Sequence, residues 1–149
     1  MAQLHKLGFE AEIKCSADKY FGMFSNNVTQ LPKFVPSTFK SVEITEGDGT
    51  SIGSTRLWKY AIVISKDRLT TFNKEKRSLV YEITQGGIMN YYKVFNVKID
   101  VVPKQHATGN GSLVKWSLEF EKVNDDIPDP TAYIDAIQLV TNELSSQLC

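Results

Sequence analysis

The chain has 149 residues, 42% hydrophobic and 23% charged, which suits one globular domain, 1–149, with a sizeable core. Seventeen basic side chains balance seventeen acidic ones, so no basic field exists to draw in phosphate backbones, and nucleic acid is excluded as a partner class. The longest apolar run, Tyr60 to Ile64, falls far short of the roughly 20 residues that a bilayer requires, and the amino terminus lacks the charged-then-apolar order of a secretory signal, so no membrane insertion is expected.

Residues 4 to 14 alternate Leu7, Phe9, Ala11 and Ile13 with Gly8, Glu10, Glu12 and Lys14, the pattern of a strand with one wet face. Ser16 then supplies an N-cap, and Tyr20, Phe21, Met23 and Phe24 give a broad apolar stripe, so a short helix is expected there. A second short helical piece fits Asn27 to Leu31, ending where Pro32 and Pro36 force the backbone out of helix.

From Phe39 onward the pattern is β, with turn chemistry at Glu46–Gly49, Ser65–Arg68, Asn73–Arg77, Gly86–Gly87 and Thr108–Gly111, leaving room for about six strands. The last strand carries Val114, Trp116, Leu118 and Phe120 on one face. It gives way to a helix for which Asp129 is the expected N-cap and Pro130 the first helical residue. Tyr133, Ile137, Val140, Leu144 and Leu148 share one face of that helix, while Asp135, Gln138, Asn142 and Glu143 fall elsewhere. An antiparallel sheet this long curls as it twists, and the terminal helix can lie across its concave side, an α+β grip.

One strand face reads Ile52, Ser54, Arg56, Trp58, Tyr60, Ile62; later faces carry Leu79, Tyr81 and Ile83, then Met89, Tyr91, Phe95, Val97 and Ile99, then Trp116 and Phe120. A filled core and a lined cavity both account for this aromatic lining. Arg56 reads either as one half of an ion pair at the rim or, with the hydroxyls of Tyr60 and Tyr81, as a polar anchor inside a cavity.

Other chemistry is missing. The loop Glu46 to Gly53 lacks the Gly-Lys-Ser/Thr ending of a phosphate cradle and runs into a strand, so it reads as a tight turn with glycines at positive φ. No Gly-x-Ser-x-Gly elbow occurs, and the two histidines, His5 and His106, lie far apart. Cys15 and Cys149 read as ordinary thiols, pointing to a reducing, cytoplasmic setting and to no metal site.

Taken together, Glu46 to Gly53 leading into Trp58-Lys59-Tyr60, then Gly111 to Trp116, and Phe120 to Asn124 running into Asp129-Pro130-Thr131-Ala132-Tyr133, resemble the plant Bet v 1 (birch pollen allergen) family, and within it the major latex protein branch, across 1–149. The resemblance implies a curved seven-stranded antiparallel sheet gripping a long C-terminal helix, with two short helices after the first strand and an internal hydrophobic cavity. Members bind steroids, flavonoids, hormones and lipids, and certain members catalyse condensations, isomerisations or cyclisations of labile intermediates. No cofactor and no metal are implied.

The expected function is therefore binding of a hydrophobic plant metabolite, as a carrier, storage or defence-related protein acting as a monomer or weak dimer. The alternative is a cofactor-free enzyme that cyclises or isomerises a reactive terpenoid (iridoid-type) or alkaloid intermediate by orienting it. For that chemistry the candidates are Tyr60, Tyr81 and Tyr133, since a phenol can polarise a carbonyl or relay a proton. Phe9, Arg56, Trp58, Tyr91, Phe95, Trp116, Ile137 and Val140 are the expected ligand contacts. Lys59 and Lys98 fall on the face opposite the aromatics, which argues against amine catalysis.

Overall fold

The structure, a computed structural model, describes residues 4–60, 64–106 and 109–148. Strand β1 (His5–Ile13) is followed by helix α1 (Ala17–Gly22), a 3₁₀ turn (Val28–Gln30) and helix α2 (Leu31–Phe34). Six strands follow, β2 (Ser41–Glu46), β3 (Thr55–Lys59), β4 (Ile64–Asn73), β5 (Ser78–Gly86), β6 (Tyr92–His106) and β7 (Gly109–Lys122), and then helix α3 (Thr131–Leu148). All seven strands join one curved antiparallel sheet in the order β1-β7-β6-β5-β4-β3-β2, with α3 as its long helix. Every neighbour but β1 on β7 is also a neighbour in sequence, so hairpins build most of the sheet and the first strand closes onto the last.

The short helices form as their sequence dictates. Ser16 accepts the Lys19 backbone N–H at 3.3 Å, and Tyr20 and Phe21 then turn into the core. Pro32 departs from expectation by lying inside α2: it occupies the first turn, where the N–H it lacks has no helical partner to miss. Lys19 also reaches across to the far end of α3, its Nζ donating to the Leu148 carbonyl at 2.9 Å, one of the carbonyls that a helix end leaves unpaired. A second tie crosses the core. Trp116 Nε1 donates to the Tyr20 hydroxyl at 3.0 Å, and since an indole can only donate, the Tyr20 proton is left for Thr141 Oγ1 at 2.8 Å. Sheet, α1 and α3 are thereby joined by one buried chain of hydrogen bonds.

Several local expectations are corrected. Helix α3 starts one residue later than its sequence suggests: the Pro130 carbonyl accepts the Ile134 N–H at 3.3 Å, while the Asp129 carboxylate turns away to Lys122 Nζ at 2.8 Å instead of capping. The stretch Ser65–Arg68, expected as a turn, lies within β4. Ile52 precedes β3 and is exposed, and Ile62 lies outside the described residues, as does Thr108 of the expected last hairpin turn. Cys15 is buried and disulfide-bonded, not the ordinary thiol expected, which removes the cysteine argument for a reducing compartment; Cys149 lies outside the described residues. The glycine loop is as expected: Gly47, Gly49 and Gly53 have φ of 77°, 83° and 93°, and a Cβ on Gly47 would sit 2.5 Å from Ser54 Oγ. No helix among the described residues is long and apolar enough to cross a membrane.

Candidate functional site

A cavity of about 300 Å³ lies between the sheet and α3. Its sheet side is formed by Trp58, Tyr81, Ile83 and Trp116, its helix side by Tyr133, Ala136, Ile137 and Val140. Phe24 and Phe39, from the segments around the short helices, line it as well. Ile64 and Ala136 line the cavity and yet are exposed, so its mouth opens between the start of β4 and the middle of α3. Gly86 and Gly87 border the same opening and put no side chain across it.

The helix face divides along its length. Tyr133, Ile137 and Val140 face the cavity, whereas Leu144, one turn further on, is fully buried against the core. Ala136 was not foreseen, because its small side chain carries no signal in a hydrophobic stripe.

Beneath the aromatic wall sits a buried ion pair. Arg56 and Asp67, directly opposite each other in the β3–β4 pairing, are 0% and 1% exposed. Arg56 Nε donates to Asp67 Oδ1 at 2.8 Å and Nη2 to Oδ2 at 3.2 Å, while Nη1 donates to the Phe24 carbonyl at 3.0 Å. Trp58 Nε1 adds a bond to Asp67 Oδ2 at 2.7 Å. The guanidinium carbon also lies 5.1 Å from the Trp58 ring centre and 4.9 Å from that of Tyr81, within cation–π range. Burial pushes the Asp67 carboxyl above its usual range, and Arg56 beside it pulls the other way. With three donors aimed at its oxygens, the form that fits is the carboxylate. Arg56 is therefore neither a rim residue nor a cavity contact. It holds Asp67, and Asp67 is the member of the pair that lines the cavity.

Above this pair the tyrosines gather. The hydroxyls of Tyr81 and Tyr133 lie 2.8 Å apart, joining β5 to α3, and Tyr60 lines the cavity with no hydrogen-bond partner for its hydroxyl among the described residues. Of the residues expected from sequence, Tyr60, Tyr81, Tyr133, Trp58, Trp116, Ile137 and Val140 thus come together around one space. Phe9, Phe95 and Tyr91 do not. Phe9 is half-buried on β1 opposite Trp116, and Phe95 is fully buried, packed edge-on against Tyr133 with ring centres 5.0 Å apart. Tyr91 is 55% exposed, because β6 begins at Tyr92 and a register shift between Tyr92 and Val94 turns Tyr92 inward in its place. Lys59 and Lys98 point to solvent, as the alternation requires.

Burial holds these phenols protonated. It pushes Tyr20, Tyr60, Tyr81, Tyr92 and Tyr133 above the ordinary value of 10.0. Each is an acid whose folded pKa exceeds its unfolded one, so the folded protein keeps protons that the unfolded chain releases. Their contribution to stability is complete below pH 10 and falls as pH rises beyond it. In an alkaline titration followed by phenolate absorbance and circular dichroism together, Tyr20, Tyr60, Tyr81 and Tyr133 should stay protonated until secondary structure is lost. A reversible phenolate signal from several tyrosines with the fold intact would contradict this.

Residues 2–149 match the model of the pathogenesis-related protein Bet v 1 family. Major latex protein 146 of Papaver somniferum is 37% identical over 147 residues, covering 97% of this chain and 91% of that protein. The crystal structure of ginseng major latex-like protein 151 from Panax ginseng superposes with a TM-score of 0.86 at 25% identity, over 96% of each chain. Norcoclaurine synthase from Thalictrum flavum, solved in complex with dopamine and hydroxybenzaldehyde, superposes with a TM-score of 0.79 over 99% of this chain and 87% of that one; at 20% identity the likeness is one of fold.

Proposed function

The chain belongs to the Bet v 1 family and resembles its major latex proteins, and from that premise we propose that it binds a hydrophobic plant metabolite in the cavity between sheet and α3. The observation that carries this reading is the cavity itself, about 300 Å³ walled by aromatic and aliphatic side chains. A chain selected for stability alone fills such a space, since protein interiors pack to crystal-like density and a void forfeits contacts on every side. Trp58 and Trp116 supply the broad contact surface and are the two tryptophans of the chain, so intrinsic fluorescence reports occupancy directly. Apolar compounds should displace a fluorescent apolar dye at a ratio of one per chain, shift the tryptophan emission, and persist as a complex in native mass spectrometry. Absence of displacement by any member of a broad apolar panel would refute the reading.

A second reading, a cofactor-free cyclase or isomerase, draws support from the hydroxyls of Tyr60, Tyr81 and Tyr133 at one end of the space. Protonated at neutral pH, these hydroxyls can donate hydrogen bonds to a developing oxyanion or enolate, and with ionisation opposed by burial they do not act as bases. Norcoclaurine synthase lends this reading only a shared architecture. The two readings separate on product stereochemistry: an enzyme changes the product ratio from an unstable dialdehyde or enol, whereas a carrier leaves it as in buffer.

A further inference from the structure

The cavity carries its own selection rule, in its charge and its unused protons. A space of about 300 Å³ is within the range of small-molecule sites, so it admits a compound of ordinary metabolite size. Its charge is one-sided. Among the described lining residues the one ionised side chain is Asp67, because its partner Arg56 stands behind it, engaged by Asp67, the Phe24 carbonyl and two aromatic rings. A carboxylate ligand would lose its hydration and find no cation to replace it.

The proton count points the same way. Tyr81 and Tyr133 share one hydrogen bond between two O–H groups, so one of the two protons is left without an acceptor; the Tyr60 proton also has none among the described residues. Ser65 and Thr38 add hydroxyls to the wall that make no side-chain hydrogen bond with the described residues. Buried donors without acceptors are costly, and a pure hydrocarbon in the cavity would shield them from water and leave them unpaired. A carbonyl oxygen, with two lone pairs and no proton, is the complement of two spare phenol protons.

We propose that the cavity selects an uncharged carbonyl compound, its oxygen held by the tyrosine hydroxyls and its hydrocarbon laid against Trp58, Trp116 and Ile137. This rests on the reading of the cavity as a binding site. It narrows the ligand to a ketone, an aldehyde or a lactone.

Three probes on the intact chain test it: limonene, a hydrocarbon; carvone, the ketone of the same skeleton; and perillate, its carboxylate. Binding is read by tryptophan fluorescence and calorimetry. Carvone should bind about fivefold or more tighter than limonene, the value of one well-made neutral hydrogen bond, and perillate at least about 50-fold more weakly than carvone. The triple variant Tyr60→Phe, Tyr81→Phe and Tyr133→Phe removes the three phenols of the wall and should erase the preference, bringing carvone to within about twofold of limonene. If limonene equals carvone, if perillate binds as well as carvone, or if the triple variant keeps the fivefold preference, the selection rule is overturned while cavity binding stands. If none of the three binds and no apolar dye is displaced, the binding reading itself fails and the selection rule with it. Should the triple variant not fold, the comparison of the three probes on the natural chain decides alone.

Discussion

Asp67→Ala lowers the stability of the folded protein by about 3–5 kcal/mol, a fall in Tm of roughly 6–20 °C for a chain of this size. The substitution strands a guanidinium that is 0% exposed, with two of its three hydrogen bonds and its counter-charge removed. Trp58 Nε1 loses its acceptor in the same step. The cost comes from the cation left behind, not from the strength of the pair, because two charges taken out of water repay little more than their own desolvation. Two further variants separate these accounts. Asp67→Asn keeps an acceptor for Arg56 but not the charge, and should fall between Asp67→Ala and the natural chain. The double variant Arg56→Met with Asp67→Leu removes both charges and should recover most of the stability lost by Asp67→Ala. Equilibrium unfolding in urea measures all three. A loss under about 1 kcal/mol for Asp67→Ala, or a double variant no better than the single, would mean that water reaches Arg56 and that the pair is not the sealed floor of the cavity.

The same pair shows where sequence reasoning stops. Strands such as β1 and β5 were legible, because in them a wetter face alternates with a drier one and the period is visible without knowing the partner strand. Ser65-Lys66-Asp67-Arg68 has the composition of a turn, and as a turn it yields a solvated aspartate. In the fold, Ser65, Asp67 and Leu69 are buried while Arg68 is exposed, which is the ordinary alternation of a strand whose inner face happens to be polar. The clue available was positional. Arg56 and Asp67 stand directly opposite across the β3–β4 hairpin, so a cation on the apolar face of one strand called for a carboxylate at the matching place on the next. Tyr91 failed for a related reason, since strict alternation carried through Tyr92–Val94 misses the register shift there. The hydroxyl pair of Tyr81 and Tyr133 joins residues 52 positions apart on sheet and helix, and no local pattern encodes it. Seven of the expected contacts nonetheless surround one space, because aromatic side chains on inward faces of a curved sheet have few other places to go.

Ile137→Trp should block uptake of an apolar ligand, with apparent affinity falling at least about 50-fold and stability changing by no more than about 1 kcal/mol. Ile137 lies on the cavity-facing stretch of α3, so an indole there enters empty space instead of displacing packed neighbours, and the usual penalty of about 1–3 kcal/mol for overfilling a core is offset by newly buried apolar surface. Leu144→Ala, seven residues further along the same helix, should do the reverse. Leu144 is 0% exposed and does not line the cavity, so its truncation costs about 2–5 kcal/mol of stability and leaves affinity within about threefold while the protein remains folded. The contrast tests a division of labour within one helix, in which the stretch from Tyr133 to Val140 shapes a ligand and the stretch beyond it secures the helix to α1 through Thr141 and to the core through Leu144. Thermal unfolding and dye displacement on the two variants measure both quantities. If Ile137→Trp destabilises as much as Leu144→Ala and leaves dye uptake intact, the space beside Ile137 is already filled in solution, and the helix serves the fold alone.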